Sequence, residues 1–242
     1  ADFAQLLTTR DDVAAMLKED ELIDLIIPRG GKSLIKAISE GTRIPVLKHY
    51  DGICHQYIAE DADTEMAVSL VVNSKCQRVE VCNALETLLI DRASAPRLLP
   101  PIAAALKEKG IELRGCQFCR EILPGLAEAT EEDWSTEYLG PILSVRIVDN
   151  VAEAMEHIAR YGSGHTDGII TNSLDLAETF VAGVDSASVL VNASTRLSGG
   201  GDYGMGAVVG ISTDRLHARG PVGPAELCTY KWVLRGNGQV RS

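Results

Sequence analysis

The chain is organised around Ser74-Lys-Cys-Gln-Arg-Val-Glu-Val-Cys-Asn-Ala-Leu-Glu-Thr-Leu-Leu-Ile90. This segment places Cys82 just ahead of an apolar, strand-like run from Ala84 to Ile90. Lys75 and Arg78 are close in sequence, and a thiol at the mouth of a strand with cations nearby is one way to build a reactive cysteine. An inert, buried cysteine beside a structural strand is the ordinary alternative.

Strand-like and helix-like segments alternate on both sides of this segment. Strands are predicted at 22–27, 44–47, 55–59, 84–90, 111–113, 142–148, 168–171, 187–191 and 229–234. Helices are predicted at 10–19, 34–40, 63–73, 94–109, 119–123, 173–182 and after an Asn150 cap. This alternation predicts two α/β layers built on parallel strands. We also expect a kink or break at Pro100-Pro101, a solvated acidic stretch at 128–135 and a solvated His157.

Composition excludes several classes of function. The 242 residues carry a formal net charge of −11, whereas binding to nucleic acid or to anionic lipid needs a basic surface. No apolar run approaches the ~18 residues of a membrane span. We therefore predict a cytosolic protein with no nucleic-acid or membrane partner.

The six cysteines have irregular spacing, which does not predict a disulfide scaffold. Cys116 and Cys119 form a C-x-x-C, a spacing found in half of a zinc site or in a redox pair. No second C-x-x-C and no nearby histidine pair completes a metal site. We therefore expect reduced thiols at the start of a helix and no bound metal.

Glycines mark two further segments. Gly30 and Gly31 lie between a predicted strand and a predicted helix, where backbone N–H groups can face a phosphate or cofactor, although any tight turn of this kind favours glycine. The segment 197–206 is typical of a surface linker. Since the first residue is Ala1, we also expect the chain to lack an N-terminal portion.

Six segments together resemble one family. They are Ile26-Ile-Pro-Arg-Gly-Gly31, Cys82-Asn-Ala-Leu-Glu-Thr87, His165-Thr-Asp167, Val191-Asn-Ala-Ser-Thr-Arg196, Leu216-His-Ala-Arg-Gly-Pro221 and Tyr230-Lys-Trp-Val-Leu-Arg-Gly-Asn-Gly238. In this order they are similar to the γ-glutamyl phosphate reductases (glutamate-5-semialdehyde dehydrogenases) of the aldehyde dehydrogenase superfamily. The resemblance covers essentially all of this chain and implies that a long N-terminal segment precedes it in the family.

The resemblance also implies roles for individual residues. Cys82 matches the nucleophile of the family, and Glu137 matches a carboxylate that holds the nicotinamide ribose. The planar guanidinium groups of Arg196 and Arg219 suit the recognition of an anion, and the alternative is that both are solvated surface residues. A protonated His217 suits a phosphate group. The implied set is Cys82 and Asn83 as catalytic residues; Arg29, Gly30, Gly31 and Glu137 at the cofactor; and Asn192, Ser194, Thr195, Arg196, His217 and Arg219 at the substrate.

The implied reaction is the NADPH-dependent reduction of L-glutamyl 5-phosphate to L-glutamate 5-semialdehyde in proline biosynthesis, through an acyl-thioester on Cys82. Hydrolytic aldehyde dehydrogenases use a glutamate to activate water. The corresponding segment, 48–53, has no glutamate, and Asp51 is its nearest carboxylate. Two alternatives stay open: a non-phosphorylating or CoA-acylating aldehyde dehydrogenase, or a catalytically incompetent fragment.

The implied fold is α/β and aldehyde-dehydrogenase-like, with a partial Rossmann-type cofactor layer, an α/β catalytic domain and a C-terminal oligomerisation strand. We expect 1–76 to be the C-terminal part of a dinucleotide-binding domain. We expect 77–196 to be the catalytic domain and 197–242 the return segment with the oligomerisation strand. The implied partners are NADPH or NADP, glutamyl phosphate, further copies of the chain and, functionally, glutamate 5-kinase.

Overall fold

The computed structural model describes residues 4–48, 51–215 and 218–241. Its centre is a seven-stranded sheet in the order β4-β3-β5-β2-β1-β6-β7, and every pairing in that sheet is parallel. The strands are β1 Cys54–Ile58, β2 Leu85–Asp91, β3 Glu112–Gly115, β4 Ala127–Glu128, β5 Ile142–Val148, β6 Thr166–Ile170 and β7 Ser188–Val191. A separate antiparallel pair joins β8 Gly210–Ser212 to β9 Gly220–Val222.

The α-helices are α1 Arg10–Met16, α2 Lys32–Gly41, α3 Thr64–Cys76, α4 Ala95–Glu108, α5 Gln117–Ile122, α6 Val151–Tyr161 and α7 Leu174–Gly183. The large sheet is covered on one face by α3, α4 and α5 and on the other by α6 and α7. Successive residues of a strand point to opposite faces, so Leu88 and Ile90 pack in one core with α3 and α4. Leu89 lies in the second core with Ile158 and Phe180. The predicted α/β class is confirmed, and no helix among the described residues is long and apolar enough to cross a membrane.

Side-chain caps set the starts of four α-helices, of which α1 is capped by Thr9. Asp63 accepts a hydrogen bond from the backbone N–H of Met66 at 2.8 Å, as the sequence predicts. Asn150 and Ser173 cap α6 and α7 in the same way. These caps are local signals, which explains why the sequence locates these helices well.

The first 48 residues contain less regular structure than expected. The strands predicted at 22–27 and 44–47 are reduced to one parallel bridge between Ile26 and Val46. Leu22 is 79% exposed, so the prediction of a strand buried on both faces is wrong. A strand needs hydrogen-bonding neighbours, and in the described residues this run has only the 44–47 segment beside it.

The helix α4 runs without a break through Pro100 and Pro101, and the predicted kink there stays a prediction. Two further expectations fail for reasons of packing. His157 is buried rather than solvated, because it packs between the rings of Trp134 and Tyr161. The acidic stretch 128–135 is not uniformly solvated either, since Asp133 is buried and accepts hydrogen bonds from Arg114 and Thr130.

The sheet does not divide at residue 76. The strand β1 pairs with both β2 and β6, so β1 and α3 share one sheet with Cys82 and the elements after it. The assignment of residues 1–76 to a dinucleotide-binding domain and of 77–196 to a catalytic domain stays a prediction. The segment 229–234 pairs with no strand among the described residues and is exposed, with Trp232 at 91%. Its role as an oligomerisation strand stays a prediction.

Candidate functional site

Cys82 lies in the turn between α3 and β2, at the edge where the strands of the parallel sheet begin. Because all these strands run in the same direction, residues just before other strands meet at the same edge. Glu137 precedes β5, Gly52 precedes β1, and His165 precedes β6. The topology therefore gathers residues that are far apart in sequence around one half-buried thiol.

Gly52 and Cys54 hold the backbone of Cys82. A Cβ at Gly52 would lie 1.9 Å from the carbonyl oxygen of Cys82, so only glycine permits this approach. The buried Cys54 thiol donates to the same carbonyl at 3.2 Å. The Gly52 N–H in turn donates to Glu137 Oε1 at 2.8 Å. The start of β1 thus links the Cys82 turn to the Glu137 carboxylate.

The electrostatics of this site keep the thiol protonated. Burial, and then the negative charge of Glu137, raise the pKa of Cys82. The pKa of Cys82 is lowered by its own backbone N–H and by the positive charges of Arg196 and Arg29. The cations that lower the pKa are therefore distant in sequence, whereas Lys75, the expected neighbour, is bonded to Glu86 instead.

Lys75 and Glu86 form a fully buried ion pair beneath the Cys82 turn. The Nζ–Oε2 distance is 2.7 Å, and Glu86 Oε1 also accepts from the backbone N–H of Leu139 at 3.2 Å. Burial raises the pKa of Glu86 to about 7 although Lys75 acts to lower it. Burial also lowers the pKa of Lys75, against the effect of Glu86. The pair ties α3 to β2 and to the residues beside Glu137.

Asn83 positions the turn rather than facing outward. Its side chain is buried, and its Nδ2 donates to Arg196 O at 3.4 Å and to Ser198 Oγ at 3.3 Å. Ser198 also accepts from Thr166 Oγ1 at 2.9 Å, at the start of β6. Asn83 therefore joins the Cys82 turn to the segment that follows β7.

That segment, 192–198, crosses from the far edge of the sheet to the edge of Cys82. Asn192 bonds both the N–H and the C=O of Thr171, at the end of β6, and so lies away from Cys82. Ser194 Oγ is 3.1 Å from Ser74 Oγ on α3, and the N–H of Thr195 donates to the same Ser74 oxygen. Within this segment Arg196 acts on Cys82 through its charge, which lowers the pKa of the thiol, and its Nε donates to Gln77 Oε1 at 2.8 Å.

The predicted cofactor residues lie at the start of α2. Gly31 is the N-cap of this ten-residue helix and provides no side-chain cap, so first-turn N–H groups have no side-chain acceptor there. A Cβ on Gly31 would meet nothing within 4 Å. Arg29 is exposed and packs against Gly210 of β8. A helix start of this kind suits a phosphate group.

The remaining predicted substrate residues are not assembled around the thiol. Arg219 donates to the side chain and to the backbone carbonyl of Asp185, and Arg215 pairs with the same carboxylate. Both terminal nitrogens of the Arg219 guanidinium are therefore engaged by Asp185. His217 lies outside the described residues. Within the described ranges, no group of three or more potential ligands could hold a metal ion.

Sequence reasoning missed the role of Cys54 and Gly52. Cys54 is buried at the start of β1, 3.7 Å from His165 Nδ1, and supports Cys82 from below. The signal for Gly52 is its place just before a strand, but no sequence pattern shows which backbone it approaches. Both contacts depend on the order of strands in the sheet.

Comparison with known proteins assigns the family. The aldehyde dehydrogenase family profile matches residues 126–204. A γ-glutamyl phosphate reductase of Caulobacter vibrioides is 58% identical over 222 residues, which are 92% of this chain and 54% of that protein. One from Acetivibrio thermocellus is 56% identical over 98% of this chain and 54% of its own length.

A solved structure agrees with this assignment. The crystal structure of the γ-glutamyl phosphate reductase from Thermotoga maritima matches with a TM-score of 0.94 and 46% identity, over 97% of this chain and 57% of that one. This chain thus spans about half the length of the relatives it matches. It belongs to the γ-glutamyl phosphate reductase family of the aldehyde dehydrogenase superfamily.

Proposed function

We propose that this chain carries the acyl-transfer half of an NADPH-dependent reduction of L-glutamyl 5-phosphate to L-glutamate 5-semialdehyde, a step of proline biosynthesis. The observation that carries the proposal is Cys82 itself, half-buried in the turn before β2, where the charges of Glu137, Arg196 and Arg29 act on its pKa. The chain also belongs to a family whose relatives bear the name of this reductase. Cytosolic location and homo-oligomer formation are part of the proposal.

The proposed first step is attack of the Cys82 thiolate on the γ-carbonyl carbon of the acyl phosphate. The C–S bond forms, the C–O bond to phosphate breaks, and phosphate leaves with that electron pair. The product is an acyl-thioester, which accepts hydride more readily than a carboxylate because sulfur donates little electron density to the carbonyl. Collapse of the resulting thiohemiacetal releases the aldehyde and restores Cys82.

Two cations favour this step. Arg196 and Arg29 act on the charge of Cys82 and suit the phosphate of the incoming substrate. Burial and then Glu137 raise the pKa of Cys82, so neutralising or engaging that carboxylate would lower the pKa and favour the thiolate. Asn83 acts through Arg196 and Ser198 as a positioning residue.

The residues present fit a nicotinamide cofactor. Bound reduced nicotinamide would supply the hydride. The uncapped start of α2, with Gly30 and Gly31, suits a phosphate group, and the Glu137 carboxylate suits a pair of ribose hydroxyls. The choice of NADPH over NADH rests on the family alone. A functional link to glutamate 5-kinase, which would supply the acyl phosphate, belongs to the same proposal.

Water is disfavoured as the acceptor of the acyl group from a thioester on Cys82. Asp51, the only carboxylate in the segment where hydrolytic relatives place their base, is bonded to Lys32 at 2.5 Å. A carboxylate held in this way is a poor base toward a thioester on Cys82. This observation favours phosphate over water in the reverse reaction.

Two measurements test the proposal. Titration of the 242-residue chain with NADPH, followed by nicotinamide fluorescence, shows whether these residues bind the cofactor; no binding identifies a fragment that needs the rest of the protein. NADP⁺ reduction with glutamate 5-semialdehyde should then require phosphate or arsenate and disappear in Cys82→Ser. Turnover with water or CoA alone would assign a different aldehyde dehydrogenase activity.

A further inference from the structure

A second pair of thiols lies toward the opposite edge of the sheet from Cys82. Cys116 follows β3 as the N-cap of α5, and Cys119 lies in the first turn of that helix. The N–H of Cys116 donates to Val145 O, and Val145 is paired with Leu88 on β2. The pair therefore lies partway along the sheet and plays no part in the chemistry proposed for Cys82.

We propose that Cys116 and Cys119 form a reversible dithiol–disulfide site that reacts with low-molecular-weight disulfides. Their sulfurs are 3.6 Å apart. A disulfide bond is about 2.05 Å long, so closure needs a shift of roughly 1.5 Å, which side-chain rotation can supply. Gly115 makes the arrangement possible, because a Cβ there would lie 2.8 Å from Cys119 Cβ.

The two thiols differ in the way that an attacking and a resolving cysteine differ. Cys116 is partly exposed, whereas Cys119 is fully buried. The backbone N–H of Ile147 donates to Cys116 Sγ at 3.4 Å, an interaction that favours a thiolate. The hydrogen bond with Cys119 lowers the pKa of Cys116 to about 5, and the same bond raises the pKa of Cys119.

The reaction balances with a small disulfide, RSSR, as the oxidant. The Cys116 thiolate attacks one sulfur, forming Cys116–S–S–R and expelling RS⁻. Cys119 then gives up its proton to solvent, attacks Cys116 Sγ and expels the second RS⁻. Two electrons pass from the protein thiols to the small disulfide, which leaves as two thiols. The buried Cys119 needs no contact with the small disulfide because its target is the neighbouring sulfur.

A metal-binding role for the pair has no support in the described residues. They contain no third His, Cys, Asp or Glu arranged with Cys116 and Cys119 to hold a metal ion. Structural zinc sites use four such ligands. A partly exposed Cys116 in contact with a buried Cys119 instead fits redox chemistry of the C-x-x-C type.

The test uses peptide mapping of the intact chain after equilibration in graded mixtures of reduced and oxidised glutathione. Cleavage at Arg114 and Arg120 releases Gly115–Arg120, which holds both cysteines. We expect this peptide to become two hydrogen atoms lighter, with an oxidised fraction that depends on the square of the reduced glutathione concentration. In Cys119→Ser, Cys116 should instead carry one glutathione. Cys76→Ser is the control and should leave the transition unchanged.

Alkylation rates provide a second readout. At pH 6, iodoacetamide should modify Cys116 at least about tenfold faster than Cys76, since the pKa of Cys116 is lowered by its hydrogen bond with Cys119 whereas burial raises the pKa of Cys76. Cys119→Ala should remove most of this advantage, with far-UV circular dichroism verifying the fold. The proposal is overturned if the peptide keeps both hydrogens in excess oxidised glutathione, if it carries only mixed disulfides, or if the two alkylation rates are equal.

Discussion

The buried ion pair under the Cys82 turn gives the sharpest prediction about stability. Lys75 and Glu86 are both fully buried with 2.7 Å between their charged atoms. Removing one partner of such a pair costs about 3–5 kcal/mol, because the other charge is left unpaired away from water. Lys75→Met should therefore lower the free energy of unfolding by this amount wherever Glu86 is ionised.

The loss depends on pH because Glu86 can escape the penalty by binding a proton. Burial raises the pKa of Glu86 to about 7 even with Lys75 present, and loss of Lys75 raises it further. When folding raises the pKa of a carboxyl group, binding of its proton stabilises the folded state. This stabilisation is complete below the unfolded-state pKa of about 4.3, and it is lost as the pH rises through the folded-state pKa. Lys75→Met should therefore cost little near pH 6, and the cost should grow above about pH 7 by at most ~1.4 kcal/mol per pH unit, to about 2 kcal/mol at pH 8.5 and to its full value only above the raised pKa of the unpaired Glu86.

Urea unfolding followed by far-UV circular dichroism at pH 6 and pH 8.5 measures this difference. Lys36→Met is the matched control, because Lys36 and Glu40 form an exposed pair at 3.9 Å that should contribute at most ~0.5 kcal/mol. Adding Glu86→Leu to Lys75→Met should recover most of the loss at pH 8.5. Equal losses at both pH values, or a loss under about 1 kcal/mol at pH 8.5, would refute the reasoning.

Three further predictions concern the site and its support. Glu137→Gln should lower the pKa of Cys82 and speed its alkylation by iodoacetamide at pH 7.5 about three- to tenfold, and an unchanged rate would contradict the electrostatic role of that carboxylate. Gly52→Ala should destabilise the chain by about 1–3 kcal/mol in urea unfolding, whereas Gly41→Ala, where a Cβ meets nothing within 4 Å, should not destabilise it. Asp63→Ala should cost about 1 kcal/mol through loss of the cap of α3, seen as a lower melting temperature; an unchanged value would argue against the cap.

Local chemistry made most helices and strands predictable. Asp63, Asn150 and Ser173 are side-chain caps, and the apolar run 142–148 coincides with β5. Such signals act over a few residues and need no knowledge of the fold. The segment 22–27 has the same apolar character but lacks a sheet of neighbours, which a local pattern cannot reveal.

The site was less predictable because it depends on the order of strands. In open parallel sheets ligands usually bind beyond the carboxyl ends of the strands, whereas Cys82 lies where the strands begin. Sequence proximity suggested Lys75 as the cation that acts on the thiol, but the charges of Arg196 and Arg29, both distant in sequence, lower its pKa instead. The same topology explains why Asn192, four residues before Arg196, lies at the other edge.

The most direct test of the central claim is acylation of Cys82 by an acyl phosphate without any nicotinamide cofactor. L-Glutamyl 5-phosphate is generated in place from glutamate and ATP by a purified glutamate 5-kinase, and the mixture is quenched in acid. Cleavage at Arg78 and Arg92 releases Val79–Arg92, in which Cys82 is the only cysteine. We predict a hydroxylamine-labile glutamyl group on this peptide and none in Cys82→Ser. A glutamyl group on Cys54 or Cys76 with Cys82 unmodified would contradict the claim.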